Sequence, residues 1–220
     1  MKPTFIPLSY DKPSPDEVAK RARLFFEQMH RRRSVRAFSD EPVPDGVIRD
    51  LVRAASTAPS GAHQQPWIFV AVSTPNVKRQ IRLAAEHEER KNYGGRMSDD
   101  WLRALEPLGT NADKSFLERA PWLVVLFRQD YGCDDHGTRF RHYYVAESVG
   151  IAAGLFLTAV HQAGLVALTH TPSPMRFLKR ILERPDNETA SLLIPVGYPA
   201  PDVRVPHLRR KPIEEVLVTA

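Results

Sequence analysis

Four short apolar segments, separated by stretches with helical spacing, limit this chain of 220 residues to few architectures. The segments are rich in branched and aromatic residues and are bounded by proline, glycine or polar residues, as is typical of buried strands. They are residues 67–72, 121–127, 164–169 and 190–196. Because strands that alternate with helices must share one core, the pattern predicts an α+β fold or α/β sandwich with a central mixed sheet.

Local start signals mark the predicted helices. At residues 14–17 the sequence Ser-Pro-Asp-Glu combines a capping serine with proline at the first helical position. Apolar residues then recur at helical spacing, so this helix is predicted to bury one face. These residues are Val18, Ala22, Phe25 and Met29. A second helix is predicted after Pro44, because apolar residues again recur at helical spacing. They are Ile48, Leu51, Val52 and Ala55, and further helices are predicted at 75–91, 143–163 and 174–182.

Length and composition indicate one globular domain behind a short arm. Residues 1–13 contain three prolines and are predicted to be extended, and residues 14–220 suffice for a single domain with a sizeable core. The longest small-or-apolar run, residues 150–160, is too short to span a bilayer, and no secretory signal is recognised. A single cysteine, Cys133, excludes an intrachain disulfide. We therefore expect a cytoplasmic protein without a membrane partner.

The charge pattern favours a local anion site over a nucleic-acid surface. The net charge is +5, and the densest basic cluster is residues 31–36, which hold four arginines and Ser34. Guanidinium groups and a hydroxyl can surround a phosphate, although arginines at a helix end also interact favourably with the helix dipole. Arg210 in the basic tail could close such a site from a distance. Helix-turn-helix, zinc-finger and RNA-binding signatures are missing, so no nucleic-acid partner is expected.

Two further groups of residues are candidates for ligand contacts. The Pro-Ser-Gly-Ala sequence at 59–62 offers a hydroxyl and a glycine at which backbone amides can approach a ligand, although an ordinary turn also explains it. Glu89 and Tyr93 share a helical face, and Lys114 ends a segment whose glycines and sparse apolar residues favour a mobile lid. Taken singly, these are surface residues. No metal site is expected, since residues 133–136 hold a single soft ligand.

Six segments together resemble the iodotyrosine deiodinases, a branch of the nitroreductase superfamily. They are residues 32–36 (RRSVR), 58–63 (APSGAH) with Pro66 and Trp67, 142–144 (HYY), 163–166 (AGLV), 171–172 (TP) and 195–199 (PVGYP). The resemblance runs from about residue 31 to residue 218. The arginine-serine motif and the proline-glycine motif belong to the whole superfamily, whereas Glu89, Tyr93 and Lys114 at this spacing are typical of the deiodinase branch.

The resemblance implies an FMN-dependent enzyme. Its fold would be a nitroreductase-like central mixed sheet flanked by helices, with an active-site lid at about residues 89–114 and an extended C-terminal tail. It would be a homodimer with two FMN sites at the interface, each built from both subunits. By position, the residues implied in FMN binding are Arg32, Arg33, Ser34, Arg36, Ser60, Gly61, Thr169, His170, Thr171 and Arg210. The Thr171 hydroxyl would lie near flavin N5 and act in catalysis, and His170 stands where the family has a smaller residue.

The implied reaction is the reductive removal of halogen from a halotyrosine, as in the conversion of iodotyrosine to tyrosine and iodide. Glu89, Tyr93 and Lys114 would bind the amino acid zwitterion, and the backbone amide of Ala62 would meet the phenolate. The electron donor is either NAD(P)H or a separate reductase, since no nicotinamide motif is recognised. Two alternatives stay open: a general NAD(P)H-dependent nitroreductase or flavin reductase, and a non-catalytic FMN-binding protein.

Overall fold

The computed structural model describes residues 3–220, and the chain divides into two compact units. The first unit ends at Arg32 and contains an irregular N-terminal arm and helix α1, Pro15–His30. Ser14 caps this helix as predicted, because its hydroxyl accepts a hydrogen bond of 3.2 Å from the Glu17 amide. The prediction that α1 buries one face is wrong, since none of its residues is buried. Helical spacing identifies a face that can be covered, but not the surface that covers it.

The second unit, Arg33–Ala220, contains the remaining helices and all the strands. Its helices are α2 (Asp45–Ala55), α3 (Pro75–Lys91), α4 (Asp99–Leu105), α5 (Phe116–Arg119), α6 (Val145–Gln162) and α7 (Arg176–Ile181). Its strands are β1 (Trp67–Val72), β2 (Trp122–Gln129), β3 (Tyr131–Cys133), β4 (Arg139–Arg141), β5 (Val166–Ala167) and β6 (Glu188–Gly197). The sequence-based division at residue 14 put α1 with the domain, whereas the structure groups α1 with the arm.

The central sheet has the strand order β1-β2-β6-β5, and its neighbouring strands pair antiparallel. Ser34 adds a single parallel bridge to Ala167 on β5, so the sheet is mixed at this edge. Strands β3 and β4 form a separate hairpin. The predicted α+β class, with a central sheet flanked by helices, is confirmed. The strand predicted at 164–169 is shorter than expected, because regular pairing ends at Ala167. Leu168 keeps one backbone hydrogen bond of 3.4 Å to Pro195, and the next paired residue is His170.

Helices cover both faces of the sheet because β2 is apolar on both of its faces. Val124 packs in one buried cluster with residues of α2 and α6. Val125 and Phe127 pack in a second cluster with residues of α3, α5 and α7. All three of these β2 side chains are completely buried, and each such burial stabilises the fold by about 1.5–3 kcal/mol. The second unit is therefore a helix-sheet-helix sandwich with a core on each side of the sheet.

Helix α6 has one buried and one exposed apolar face. It packs against α2 and against strands β2 and β5. On its other side Ile151 is 45% exposed and Leu155 is 36% exposed. Within residues 3–220, α6 is the one helix long and apolar enough to cross a membrane by length and composition, criteria that the core helix of a soluble protein also meets.

The segment predicted as a lid is folded into short helical turns. A turn of π-helix at Asn92–Arg96 follows α3, then come α4 and a 3-10 turn at Glu106–Leu108. The mobility of this segment stays a prediction. The tail after residue 199, described through Ala220, contains a single 3-10 turn at Ile213–Glu215, in agreement with the extended tail that the resemblance implies.

Candidate active site

The segment after β5 carries three of the predicted site residues. His170 and Leu193 exchange backbone hydrogen bonds of 2.9 and 3.0 Å, which hold residues 169–171 beside β6. Side chains alternate along an extended chain. Thr169 and Thr171 are accordingly exposed, whereas His170 is 9% exposed. The two hydroxyls lie on the open side of this segment, and the imidazole lies on the buried side.

An arginine-lined cavity of about 470 Å³ adjoins this segment. Its polar lining comes from the start of the second unit, from the segment after β5 and from the tail, namely Arg33, Ser34, Arg36, Thr169, Arg209 and Arg210. Arg33 donates a hydrogen bond to the carbonyl of Pro206, which ties the tail to the start of the unit. Burial lowers the pKa of Arg36, but a guanidinium stays charged in proteins. The cavity is therefore strongly positive, with Ser34 as a neutral donor.

A second cavity of about 230 Å³ contains the residues predicted to bind an amino acid. Its lining includes Glu89, Tyr93, Trp101, Lys114, His170 and Thr171. The two cavities share the lining residues Arg36, Leu108, Leu168 and Thr169, so they adjoin. Helix α3, the lid segment and the segment after β5 thus meet at one place, and the three residues singled out by their spacing lie together.

Glu89 and Lys114 form a buried pair of opposite charge. Lys114 Nζ is 3.9 Å from Glu89 Oε2 and 5.8 Å from the centre of the Tyr93 ring. The Lys114 side chain is 2% exposed and the Glu89 side chain is 8% exposed. Burial raises the pKa of Glu89 and lowers that of Lys114, and the attraction between the two groups opposes both shifts. Because 3.9 Å is longer than a hydrogen bond, each charged group retains capacity for a ligand.

Lys114 is held in place from two sides. Its backbone amide donates a hydrogen bond of 3.0 Å to Glu86 Oε1 on α3. Its ammonium donates to the carbonyl of Asn111 and lies 3.4 Å from Thr110 Oγ1. These contacts keep the ammonium opposite Glu89.

His170 is a neutral imidazole beneath the second cavity. Burial, together with the positive charges of Lys114 and Arg36, lowers its pKa to about 3. Its ring packs edge-on against Phe116, with ring centres 5.9 Å apart. Its Nε2 is buried and has no hydrogen-bond partner within residues 3–220. Since an unpaired buried polar atom costs about 1–3 kcal/mol, this atom indicates a place for a polar group of a ligand.

Ser60, Gly61 and Ala62 lie in a tightly bonded loop before β1. Within residues 61–65, four of the five backbone amides donate to acceptors in the protein. These acceptors are Ser148 Oγ at 3.2 Å, Ser60 O at 3.0 Å, Gly61 O at 3.1 Å and Ser60 Oγ at 2.9 Å. The fifth amide, that of Ala62, has no acceptor in the part of the chain that the structure describes. It is therefore available to an anionic ligand.

Within one chain the predicted site residues fall into separate groups. Most line the two cavities beside β5, whereas the loop of Ser60, Gly61 and Ala62 lines neither of them. This loop leads into β1, and β1 and β5 are the opposite edges of the sheet. Three strand spacings, roughly 14 Å, separate those edges. Arg32 belongs to the other compact unit, where it ends the segment after α1. The roles assigned to the individual residues stay predictions.

Sequence reasoning missed several residues that line the two cavities or contact the loop before β1. Leu108 and Leu168 line both cavities, and an isolated leucine carries no signal of such a position. Gln64 forms hydrogen bonds to the backbone of Arg141 and Tyr143. No local pattern predicts that contact, because its partners lie far along the chain.

The structure gives no support for a metal centre. Among residues 3–220, no group of three or more His, Cys, Asp or Glu side chains could hold a metal ion. Cys133 is exposed at the end of β3. The next residue, Asp134, accepts hydrogen bonds of 2.9 and 2.8 Å from the amides of His136 and Thr138. This segment is therefore a polar hairpin turn between β3 and β4.

Comparison with known proteins places the chain in a family. The model of the nitroreductase family matches residues 29–198. Iodotyrosine deiodinase of Haliscomenobacter hydrossis is 54% identical over 99% of this chain and 98% of its own length. Iodotyrosine deiodinase 1 of Homo sapiens is 44% identical over 97% of this chain and 74% of its own length.

The fold comparison agrees with the sequence comparison. A crystal structure of oxidized iodotyrosine deiodinase bound to FMN and 3-iodo-L-tyrosine superposes with a TM-score of 0.76 and 28% identity. The match covers 85% of this chain and 95% of that chain. This chain therefore belongs to the nitroreductase family and, within it, to the iodotyrosine deiodinases.

Proposed function

We propose that this chain is an FMN-dependent oxidoreductase that removes halogen reductively from halotyrosines, as in the conversion of iodotyrosine to tyrosine and iodide. The observation that carries the proposal is the buried pair of Glu89 and Lys114, which lines the cavity next to the arginine-lined one. Relatives that are 54% and 44% identical to this chain are named for the same activity.

The arginine-lined cavity suits the phosphate of FMN. Guanidinium groups bind phosphate oxygens through paired hydrogen bonds, and Ser34 adds a neutral donor. The hydroxyls of Thr169 and Thr171 suit the polar edge of a flavin ring, with Thr171 assigned to N5. The unpaired Nε2 of His170, on the other side of the same segment, offers a further polar contact to a ligand. FMN, when bound, supplies the reducing electrons. The residues of the chain bind and orient the reactants and exclude water.

The second cavity suits an amino acid zwitterion. Glu89 binds the ammonium group and Lys114 binds the carboxylate, with Tyr93 beside them. The charged groups of Glu89 and Lys114 face each other at 3.9 Å, so a bound zwitterion would replace one loose contact with two complementary ones. Trp101 from the lid segment also lines this cavity, and closure of the lid over the substrate would exclude water.

The phenol end of the substrate is assigned to the loop before β1. A halogenated phenol ionises readily, and a phenolate needs a hydrogen-bond donor in a site shielded from water. The Ala62 amide is the donor left over in residues 61–65, because the other four amides have acceptors. It is therefore the group to which we assign the phenolate.

A second copy of the chain completes the site in this proposal. The Ala62 loop and the cavities beside β5 belong to opposite edges of one sheet, whereas a single substrate must meet both. A symmetric dimer brings the loop of one protomer to the cavities of its partner. The exposed apolar face of α6, which includes Ile151 and Leu155, is a surface of the kind that dimer interfaces use.

The cellular setting is inferred from the cysteine content of the chain. We place the enzyme in the reducing cytoplasm, since its single cysteine, Cys133, is exposed and forms no intrachain disulfide. We take NAD(P)H or a separate reductase as the electron donor.

The test compares iodotyrosine with iodophenol, which lacks the zwitterion. Glu89→Gln and Lys114→Gln should keep FMN bound but lose most kcat/KM for iodotyrosine, since each leaves a substrate charge without its partner at a cost of roughly 2–5 kcal/mol. Activity on iodophenol should be low in the wild type and little changed by either substitution. Flavin absorbance and iodide release measure the two effects.

Three outcomes would contradict the proposal in different ways. A purified protein that does not bind FMN would remove the cofactor from it. Equal turnover of iodophenol and iodotyrosine by the wild type would indicate a general nitroreductase or flavin reductase. A protein that binds iodotyrosine, but whose reduced flavin is not oxidised by it, would be a non-catalytic FMN-binding protein.

A further inference from the structure

The loop that presents the Ala62 amide has an unusual backbone. Ala62, His63 and Gln65 have φ angles of 49°, 54° and 49°. Left-handed values are uncommon for residues other than glycine, and each costs of order 1 kcal/mol unless the surroundings impose it. Three such residues within four positions therefore require contacts that hold the loop in this shape.

One of these contacts is made by the side chain of Gln64. Its Nε2 donates a hydrogen bond of 3.0 Å to the carbonyl of Arg141, and its Oε1 accepts one of 2.8 Å from the amide of Tyr143. Arg141 ends strand β4, and Tyr143 lies just before α6. One neutral amide thus joins the loop to the chain that connects the β3–β4 hairpin with α6.

Other groups leave the loop little room to move. The amide of Gly61 donates to Ser148 Oγ at 3.2 Å, and Ser148 Oγ donates in turn to the carbonyl of Tyr144 at 2.6 Å. A Cβ atom at position 61 would lie 2.3 Å from the carbonyl oxygen of Tyr143, so only glycine allows this close approach. The loop and the segment before α6 are therefore packed backbone against backbone, and Gln64 closes the contact.

We propose that Gln64 is a positioning residue for the phenolate site: its side-chain amide holds the left-handed loop against the segment before α6, so that the Ala62 amide keeps the place from which it binds the phenolate. This inference rests on the proposed function. Glutamine suits the position because its side chain donates and accepts at once. A carboxylate at position 64 could accept from Tyr143 but not donate to the Arg141 carbonyl.

The experiment measures binding of ring-fluorinated tyrosines to the FMN-loaded protein. These ligands differ more in phenol acidity than in size, and the change in flavin absorbance on titration gives each Kd without turnover. All titrations use one pH, so the phenol acidity of the ligand is the quantity that varies along the series. In the wild type, log Kd should fall steadily as the phenol becomes more acidic, because the Ala62 amide favours the phenolate.

Gln64→Ala should flatten this dependence. Loss of two hydrogen bonds from a strained loop should weaken binding of the most acidic phenols about tenfold, with little change for tyrosine itself. FMN affinity and Tm should stay close to those of the wild type. The matched control is Gln65→Ala, whose side chain contacts the His63 ring at 3.1 Å and not the hairpin. It should keep the wild-type dependence on acidity.

Gln64→Glu keeps the inference testable if the alanine variant does not fold. It retains the acceptor for Tyr143 and loses the donor to Arg141, so it should show an intermediate slope. The role of Gln64 would be overturned if the variant that folds kept the wild-type dependence of log Kd on phenol acidity. It would also be overturned if the variant bound all the ligands more weakly by the same factor. A wild type that binds none of these ligands would instead overturn the proposed function.

Discussion

Replacing Lys114 with methionine should destabilise the protein by an amount that increases with pH. Methionine has nearly the length of lysine, so the substitution removes the charge and leaves Glu89 buried without its partner. The two charged groups are 3.9 Å apart, which corresponds to a gross attraction of about 4 kcal/mol at an effective dielectric constant of about 20. Burial already raises the pKa of Glu89, and the loss of this attraction raises it further.

Protonation of Glu89 sets an upper limit to the penalty. A carboxyl whose pKa is raised on folding holds its proton more tightly in the native state than in the unfolded state. Stability is therefore highest below the unfolded pKa and falls as pH rises through the folded pKa. The pKa of Glu89 in the unfolded chain is about 4.3, and each pH unit above it is worth about 1.4 kcal/mol. The free-energy penalty for the unpaired Glu89 charge therefore cannot exceed about 1 kcal/mol at pH 5 or about 4 kcal/mol at pH 7.

The assay is urea unfolding at pH 5 and pH 7, at fixed concentrations of protein and FMN, since ligand and partner binding both shift apparent stability. The hydrogen bond that the Lys114 ammonium donates to the Asn111 carbonyl is lost at both pH values and contributes equally at each. We expect the free-energy loss caused by Lys114→Met to be about 2 kcal/mol larger at pH 7 than at pH 5.

The control is the double variant Glu89→Gln/Lys114→Met, which has no carboxyl to titrate at position 89. Its stability relative to Glu89→Gln should not depend on pH in this range. A penalty that is the same at both pH values in the single variant, or an equal increase in the double variant, would refute the pairing of Glu89 with Lys114.

Three further predictions concern the other parts of the site. Gly61→Ala places a Cβ atom 2.3 Å from the Tyr143 carbonyl oxygen, so urea unfolding should show a loss of about 1–3 kcal/mol, and unchanged stability would contradict the close packing of the loop. The pKa of His170 is about 3, so its ring signals in NMR spectra should not titrate between about pH 5 and pH 8, and a midpoint within this range would show a solvated ring. Ile151 on α6 is 45% exposed, and Ile151→Glu should shift light scattering towards the monomer mass and weaken FMN binding by about tenfold or more, whereas a dimeric variant with normal FMN affinity would remove this face from the proposed interface.

Local chemistry explains which parts of the fold could be predicted. The capping Ser14 and the proline after it mark the start of α1, because they act within one turn of helix. The apolar run in β2 predicted a buried strand, because a strand that is covered on both faces has apolar side chains at successive positions. Arg36 was identified as part of a dense arginine cluster, whereas the joint role of Glu89 and Lys114 followed from the resemblance to the deiodinases, because taken singly they are surface charges.

Long-range contacts decided the rest. The sequence by itself determined the longer helices and strands, the α+β class and the residue types available for an anion and a zwitterion, because these depend mostly on neighbours within a few positions. Only the tertiary structure placed Lys114 beside Glu89 under cover of the lid segment, and left Ser60 and Ala62 at the opposite edge of the sheet from Thr171. Only it showed that Gln64 joins the Ala62 loop to the segment before α6. Strand order and backbone packing decide which distant residues lie together. The free energy that favours one strand order over another comes from burial summed over the whole chain, and no local pattern contains that sum.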